Sequence, residues 1–229
     1  MREIILDTET TGLDPFEGHR VVEIGCVELV NSIATGRTWH CYLNPERDIP
    51  EQAYAVHGLS TDFLRDKPLF ADKAEEFLGF IENAMLVMHN ATFDYGFLNA
   101  ELERIERPLL KWDRIVDTLA LARRRHPGSP ASLDALCRRY GVDLSERDLH
   151  GALLDCRLLA SVYVELVGGH QARLEFANNG AQGGILYAQE VALRPRPAPL
   201  APRISTAERE AHRAFVATLG DDALWLRYA

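Results

Sequence analysis

The sequence predicts an α/β fold, and three observations carry that prediction. Apolar, β-branched runs at residues 3–9, 21–30 and 39–43 follow one another closely, as in an antiparallel meander. From residue 71 helical periodicity takes over, interrupted at 85–88 by a short apolar run that fits a buried strand. Beyond residue 170 the composition turns small, polar and Pro-rich, which sets a compact domain apart from a tail.

The first strand, 3–9, carries Ile4, Ile5 and Leu6 in succession, a run that calls for burial on both faces. The second, VVEIGCVELV, spans 21–30, and the third, 39–43, ends at Asn44-Pro45. Residues 71–83 place Phe77, Leu78 and Ile81 at helical spacing. After the strand at 85–88, residues 93–106 are helical, with Phe97, Leu98, Leu102 and Ile105 on one stripe and Pro108 beyond the end. Residues 115–125 and 132–140 read as further helices, the second between a Ser132 N-cap and Gly141. A long helix at 151–167 stops at Gly168-Gly169. The segment 194–203, RPRPAPLAPR, holds four of the 11 prolines and favours extended polyproline II. Residues 205–219 return to a helical pattern, with Ser205 and Glu208 at capping-box spacing. The expected organisation is a catalytic domain over 1–170, a linker over 171–204 and a terminal module over 205–229.

Composition narrows the function class. Of 229 residues, 47% are hydrophobic and 26% charged, an ordinary globular balance. No apolar run reaches the length of a membrane span, and no signal-peptide pattern opens the chain, so a cytoplasmic protein is expected. The net charge of −9 argues against wrapping nucleic acid by bulk electrostatics. It is compatible with acids collected around divalent cations, which reverse the local sign. Cys26, Cys41, Cys137 and Cys156 match no zinc spacing and read as free thiols.

The chemistry gathers in three segments. In ILDTETTG, Asp7 and Glu9 are two apart on a strand, so both carboxylates share one face. They fall at its carboxyl end, where open α/β sheets place ligands. In VMHNATFDYGF, a buried strand ends at His89-Asn90 and Asp94 opens a helix. In HGALLDCRLLA, Asp155 lies among apolar helix residues and calls for a partner, and His150 precedes the helix. Each acid alone fits a solvated strand edge or helix start. Together, four carboxylates and a histidine form a hard-oxygen set that suits Mg²⁺ or Mn²⁺ over zinc.

These segments resemble the three motifs of the DEDDh 3′→5′ exonuclease superfamily: Asp-x-Glu in Asp7 and Glu9, Asp94, and His-x₄-Asp in His150 and Asp155. HCYLNPER, AVHGLS, HNATFDYGFLNAELER and HGALLDCRLLASVYVELVGG are similar to the proofreading (epsilon) subunits of bacterial DNA polymerase III. The resemblance implies an RNase H-like fold, a mixed five-stranded sheet flanked by helices, with a C-terminal linker and short helical tail. It implies two divalent cations, Mg²⁺ or Mn²⁺. Asp7 would bridge them, Glu9 and Asp155 would complete one, and Asp94 would serve the other through water. His150 would be the general base, and nucleoside 5′-monophosphates would be released.

The same resemblance places Thr8, Thr10 and His57 against the terminal nucleotide, at a single-stranded or frayed 3′ DNA end. Phe93 fits stacking on a base or core packing, and His89 and Asn90 fit supports of the strand end. The basic run Arg123, Arg124 and Arg125, with Arg138 and Arg139, fits a solvated helix face or a phosphate track. QARLEF resembles a sliding-clamp-binding peptide, with Gln171, Leu174 and Phe176 as its contacts. The tail resembles a polymerase-docking segment, anchored by Phe215, Leu224, Trp225 and Leu226. The implied function is proofreading for a replicative polymerase in the bacterial cytoplasm. The alternatives are a stand-alone exonuclease acting on RNA or repair ends, and a nuclease-dead bridge between clamp and polymerase.

Overall fold

The computed structural model describes residues 1–145, 149–168, 204–220 and 225. The chain divides into two compact units, Met1–Phe176 and Ala177–Ala229. Among the described residues no helix is long and apolar enough to cross a membrane.

The first unit is built on a mixed five-stranded sheet of order β3-β2-β1-β4-β5. β1 (Arg2–Thr10) pairs antiparallel with β2 (Val21–Val30), which pairs antiparallel with β3 (Ile33–Tyr42). β4 (Met85–Met88) runs parallel to β1, and β5 (Ile115–Asp117) parallel to β4. The central position of β1 explains its Ile-Ile-Leu run, since Ile4, Ile5 and Leu6 are all fully buried.

Strand alternation sends these residues to two separate cores. Ile4 and Leu6 pack with Phe77 of α3 (Phe70–Ile81) and Phe97 of α4 (Ala91–Arg104). Ile5 packs with Val27, Leu29 and Val87 under Cys156, Leu159 and Tyr163 of α7 (Ala152–Val167). The next residues of β1 inherit the alternation. Asp7 and Glu9 follow Ile5 towards α7, and Thr8 follows Leu6 towards α4.

Gly25 sets how close α7 comes. It is the register partner of Asp7 on β2. A Cβ placed there would lie 2.4 Å from the Ala152 carbonyl carbon and 2.5 Å from Leu153 N, both backbone atoms. The first turn of α7 therefore lies directly on the β2 backbone, and Cys156 Sγ donates to the Gly25 carbonyl at 3.1 Å.

The observed elements depart from the sequence reading in three places. Residues 115–117, expected to begin a helix, form the edge strand β5, and α5 (Thr118–Arg125) starts only after it, capped by Asp117. β3 begins at Ile33 rather than 39, because its first residues are exposed and carry no apolar alternation. Two short helices, α1 (Glu51–His57) and α2 (Thr61–Arg65), lie in a stretch with no clear stripe. Tyr54 and Val56 of α1 stay exposed. α6 (Leu133–Tyr140) keeps its expected Ser132 and Gly141 caps. All four cysteines are free, three of them buried.

In the second unit, α8 (Thr206–Ala217) starts with the expected capping box. Ser205 N donates to Glu208 Oε2 at 2.8 Å, and Glu208 N donates to Ser205 Oγ at 3.3 Å. The Trp225 ring meets His212 edge-on, and Phe215 and Trp225 are exposed. Gln171, Leu174, Phe176, Leu224 and Leu226 lie outside the described residues.

Candidate active site

The carboxyl ends of β1 and β4 open onto a cavity of about 600 Å³. Asp7, Glu9, Asp94, Asp155 and His150 all line it, brought together from three segments of the chain. The substrate candidates Thr8, Thr10, His57 and Phe93 line the same cavity.

Each acid is held by a different local device. Glu9 is the penultimate residue of β1 and sits beside a bulge, where the register with β2 shifts between Glu9 and Thr10. Asp94 lies in the first turn of α4 and is almost fully buried. Its Oδ1 accepts from Thr8 N at 3.0 Å and Thr8 Oγ1 at 2.7 Å. Thr8, expected among the substrate contacts, thus commits its hydroxyl to fixing an acid. Asp155 faces the sheet one turn into α7, buried, with Asp155 Oδ2 3.2 Å from His150 Nδ1. Ligand atoms of Glu9, His150 and Asp155 all lie within 4.8 Å of one another, close enough to share a cation.

The His150 imidazole is about half exposed, while its backbone is fastened by His150 N donating to Val56 O of α1 at 3.1 Å. Leu149, beside it, sits over Gly58 at the end of α1, where φ is +69° and a Cβ would meet Leu149 Cδ1 at 2.7 Å. The base candidate is therefore seated on the turn after α1, which also carries His57.

A group of supports was not legible as such in the sequence. Asp117 Oδ1 accepts from Asn90 N at 3.2 Å and from Leu119 N at 2.9 Å, tying the β4–α4 turn to the start of α5. Thr118 Oγ1 bonds His89 Nδ1 at 2.9 Å and donates to Met88 O at 3.1 Å. Asn90 turns the chain into α4 through a left-handed conformation, φ 65°, which Asn tolerates better than most residues. The pair His89-Asn90 thus serves the strand end, held from below by Asp117 and Thr118.

His57 is buried, and its Nδ1 accepts from Leu59 N at 3.0 Å. The remaining proton of the neutral ring is then on Nε2, which has no hydrogen-bond partner among the described residues. Burial lowers the His57 pKa, so the ring meets a ligand as a neutral donor. Phe93 packs against Phe97 with ring centroids 4.9 Å apart and also lines the cavity. Thr10 Oγ1 donates to Gly12 O at 2.6 Å and shapes the turn after β1.

The electrostatics ask for positive charge. Burial pushes the Asp7 carboxyl well above the usual carboxylate range, and the charges of Asp94, Glu9 and Asp155 push it further. Burial also raises Asp94 to about 7, against the pull of the Thr8 hydrogen bonds. Four carboxylates crowded in this way fit hard divalent cations, with the His150 imidazole beside them.

In the folded, metal-free chain Asp7 and Asp94 hold protons that the unfolded chain releases near pH 4. Stability therefore falls as pH rises from the ordinary carboxylate range to about 7. A cation replaces those protons, so the Tm gain from Mg²⁺ or Mn²⁺ over EDTA should be small near pH 5 and large near pH 8. Thermal melts at both pH values check this; a gain that does not change with pH would contradict it.

Residues 4–163 match the exonuclease family. The chain is 49% identical over 222 residues to the DNA polymerase III subunit epsilon of Rickettsia felis, covering 96% of this chain and 97% of that one. It is 48% identical over 186 residues to the DNA polymerase III subunit epsilon of Escherichia coli K12, covering 78% and 76%. Among solved structures, exonuclease X in complex with 5′ overhanging duplex DNA aligns with a TM-score of 0.56 and 27% identity, over 72% of this chain and 90% of that one. The nuclease domain of 3′hExo, a DEDDh family member bound to rAMP, shares the fold at a TM-score of 0.62 and 17% identity, over 72% and 91%.

Proposed function

The chain belongs to the exonuclease family, alongside the DNA polymerase III epsilon subunits, and we propose that it proofreads for a replicative polymerase in the bacterial cytoplasm. It is a 3′→5′ exonuclease with an RNase H-like fold. The observation that carries the reading is the convergence of Asp7, Glu9, Asp94, Asp155 and His150 on one cavity from segments far apart in sequence.

In this reading Asp7, Glu9, Asp94 and Asp155 hold two divalent cations, Mg²⁺ or Mn²⁺. Bound there, the cations would stabilise charge on the attacking and leaving oxygens of an in-line displacement. The terminal nucleotide enters beside Thr10, His57 and Phe93, with His57 Nε2 donating to it. Asp155 orients the His150 ring through Nδ1, which leaves Nε2 to take the proton of the attacking water. The products are a nucleoside 5′-monophosphate and a strand shortened by one.

Residues 1–170 serve as the nuclease. Gln171, Leu174 and Phe176 of QARLEF serve as a clamp-binding peptide, with the Pro-rich linker completing 171–204. The tail, 205–229, docks on the polymerase through Phe215, Leu224, Trp225 and Leu226. Two tethers of this kind raise the effective concentration of the site at the primer end.

The direct test is digestion of a 3′-labelled, mismatched primer with Mg²⁺, beside an EDTA control. The expected products are single mononucleotides from the 3′ end, released only with the metal. His150→Gln should lower kcat by about 10²–10⁴-fold with primer affinity nearly unchanged, as for loss of a general base. A parent protein that leaves the primer intact, or a variant that loses binding in place of turnover, would overturn the assignment.

A further inference from the structure

We propose that Arg123 marks a subsite for the phosphate one step upstream of the scissile one, on the 5′ side of the penultimate nucleotide. The inference rests on the 3′→5′ exonuclease reading and adds to it where the remaining strand goes.

A second cavity, about 680 Å³, lies beside the first and shares Asp7, His89, Asn90, His150 and Asp155 with it. Its other wall comes from Leu119 and Arg123 of α5 and from Ser132 and Leu133 at the start of α6. Leu119 and Arg123 are one helical turn apart, so both present to the same side. The basic run of α5 is therefore divided. Arg125 donates to Leu166 O at 2.7 Å and fastens α5 to the end of α7, whereas Arg123 lines the cavity.

Arg123 is exposed, and among the described residues no carboxylate pairs with it. Asp134, in the same wall, has an interaction of its own. Arg123 is close enough to His89 for its charge to be felt there. A guanidinium that no described carboxylate pairs with is a ready partner for a phosphate, whose oxygens match its planar fork. The positive end of α6 in the same wall works in the same direction.

The polarity of the reaction assigns the two cavities. The first, with His57 and Phe93, takes the terminal nucleotide. The group that departs from phosphorus is the 3′-oxygen of the preceding nucleotide. The rest of the strand must then leave the acid cluster on the opposite side, through the second cavity. The first phosphate it carries there is the one Arg123 meets.

Three substrates test this with the full chain and Mg²⁺: the 4-nitrophenyl ester of thymidine 5′-monophosphate, a thymidine dinucleotide, and the same dinucleotide bearing a 5′-phosphate. Only the last offers the upstream phosphate. The parent should show a KM for it lower by on the order of tenfold than for the unphosphorylated dinucleotide, in keeping with a charged hydrogen bond. Arg123→Gln should abolish that difference and leave ester hydrolysis unchanged; Arg123→Lys should keep part of it. Equal KM values for the two dinucleotides in the parent would overturn the proposal, as would a difference that survives in Arg123→Gln. A parallel fall in ester hydrolysis would also overturn it, since Arg123 would then act at the scissile phosphate or on the fold. Failure of the parent to cleave the ester counts instead against the nuclease reading beneath it.

Discussion

Asp7→Ala is expected to lower hydrolysis by about 10³-fold or more, because the cations it helps to hold supply several kcal/mol of transition-state stabilisation. The position leaves no substitute. Asp7 is on the central strand, on the face shared with Ile5 and under α7, and feels the charges of Asp94, Glu9 and Asp155. The same crowding predicts an opposite effect on the metal-free fold. Asp7→Asn keeps the shape and removes one charge, so its Tm in EDTA near pH 8 should exceed that of the parent. With Mg²⁺ the order should reverse, because the variant binds the cation poorly. Primer digestion and paired melts check both halves. Activity retained by Asp7→Ala, or a lower Tm for Asp7→Asn in EDTA, would refute the site as described.

The second large effect is expected at a residue with no chemistry of its own. Gly25→Ala puts a methyl group against the Ala152 and Leu153 backbone, which cannot turn aside as a side chain can. Overpacking of this kind costs about 1–3 kcal/mol, or more where backbone must move. α7 carries Asp155, and a shift of about 1 Å at such a group can reduce turnover on the order of 10²-fold. The expected result is a folded protein with a lowered Tm, weakened metal binding and depressed kcat. If Tm falls while metal affinity and kcat stay at parental levels, then α7 is not what sets the Asp155 position.

Much of this was legible in the sequence. The double burial of β1 follows from Ile4-Ile5-Leu6, and α3, α4, α6 and α7 follow from their apolar spacing and caps. The acids could be picked out because a carboxylate among apolar neighbours is costly unless something holds it there. What was not legible has a common cause. β5 is only Ile115–Asp117, too short to show a period, and it merges with the helical pattern behind it. α1 has no buried stripe, since Tyr54 and Val56 stay exposed. The roles of Asp117, Thr118 and Gly25 depend on contacts between distant elements, which leave no spacing signature. The Thr8 bond to Asp94 of α4 belongs to the same class: the resemblance set Thr8 among the substrate contacts, and no spacing announced that its hydroxyl also holds an acid.

The laying of α7 across Gly25 also has a consequence for biosynthesis. A ribosome releases β1 and β2 long before residues 152–167, at roughly 5–20 residues per second. For that interval, on the order of ten seconds, the sheet surface made by Ile5, Val27 and Leu29 has no cover. Such bare apolar surface is what holding chaperones bind. The delay also keeps the nascent chain harmless: Asp155 and His150 are among the last parts of the domain to emerge, so no cutting centre exists until the fold that restrains it is nearly complete.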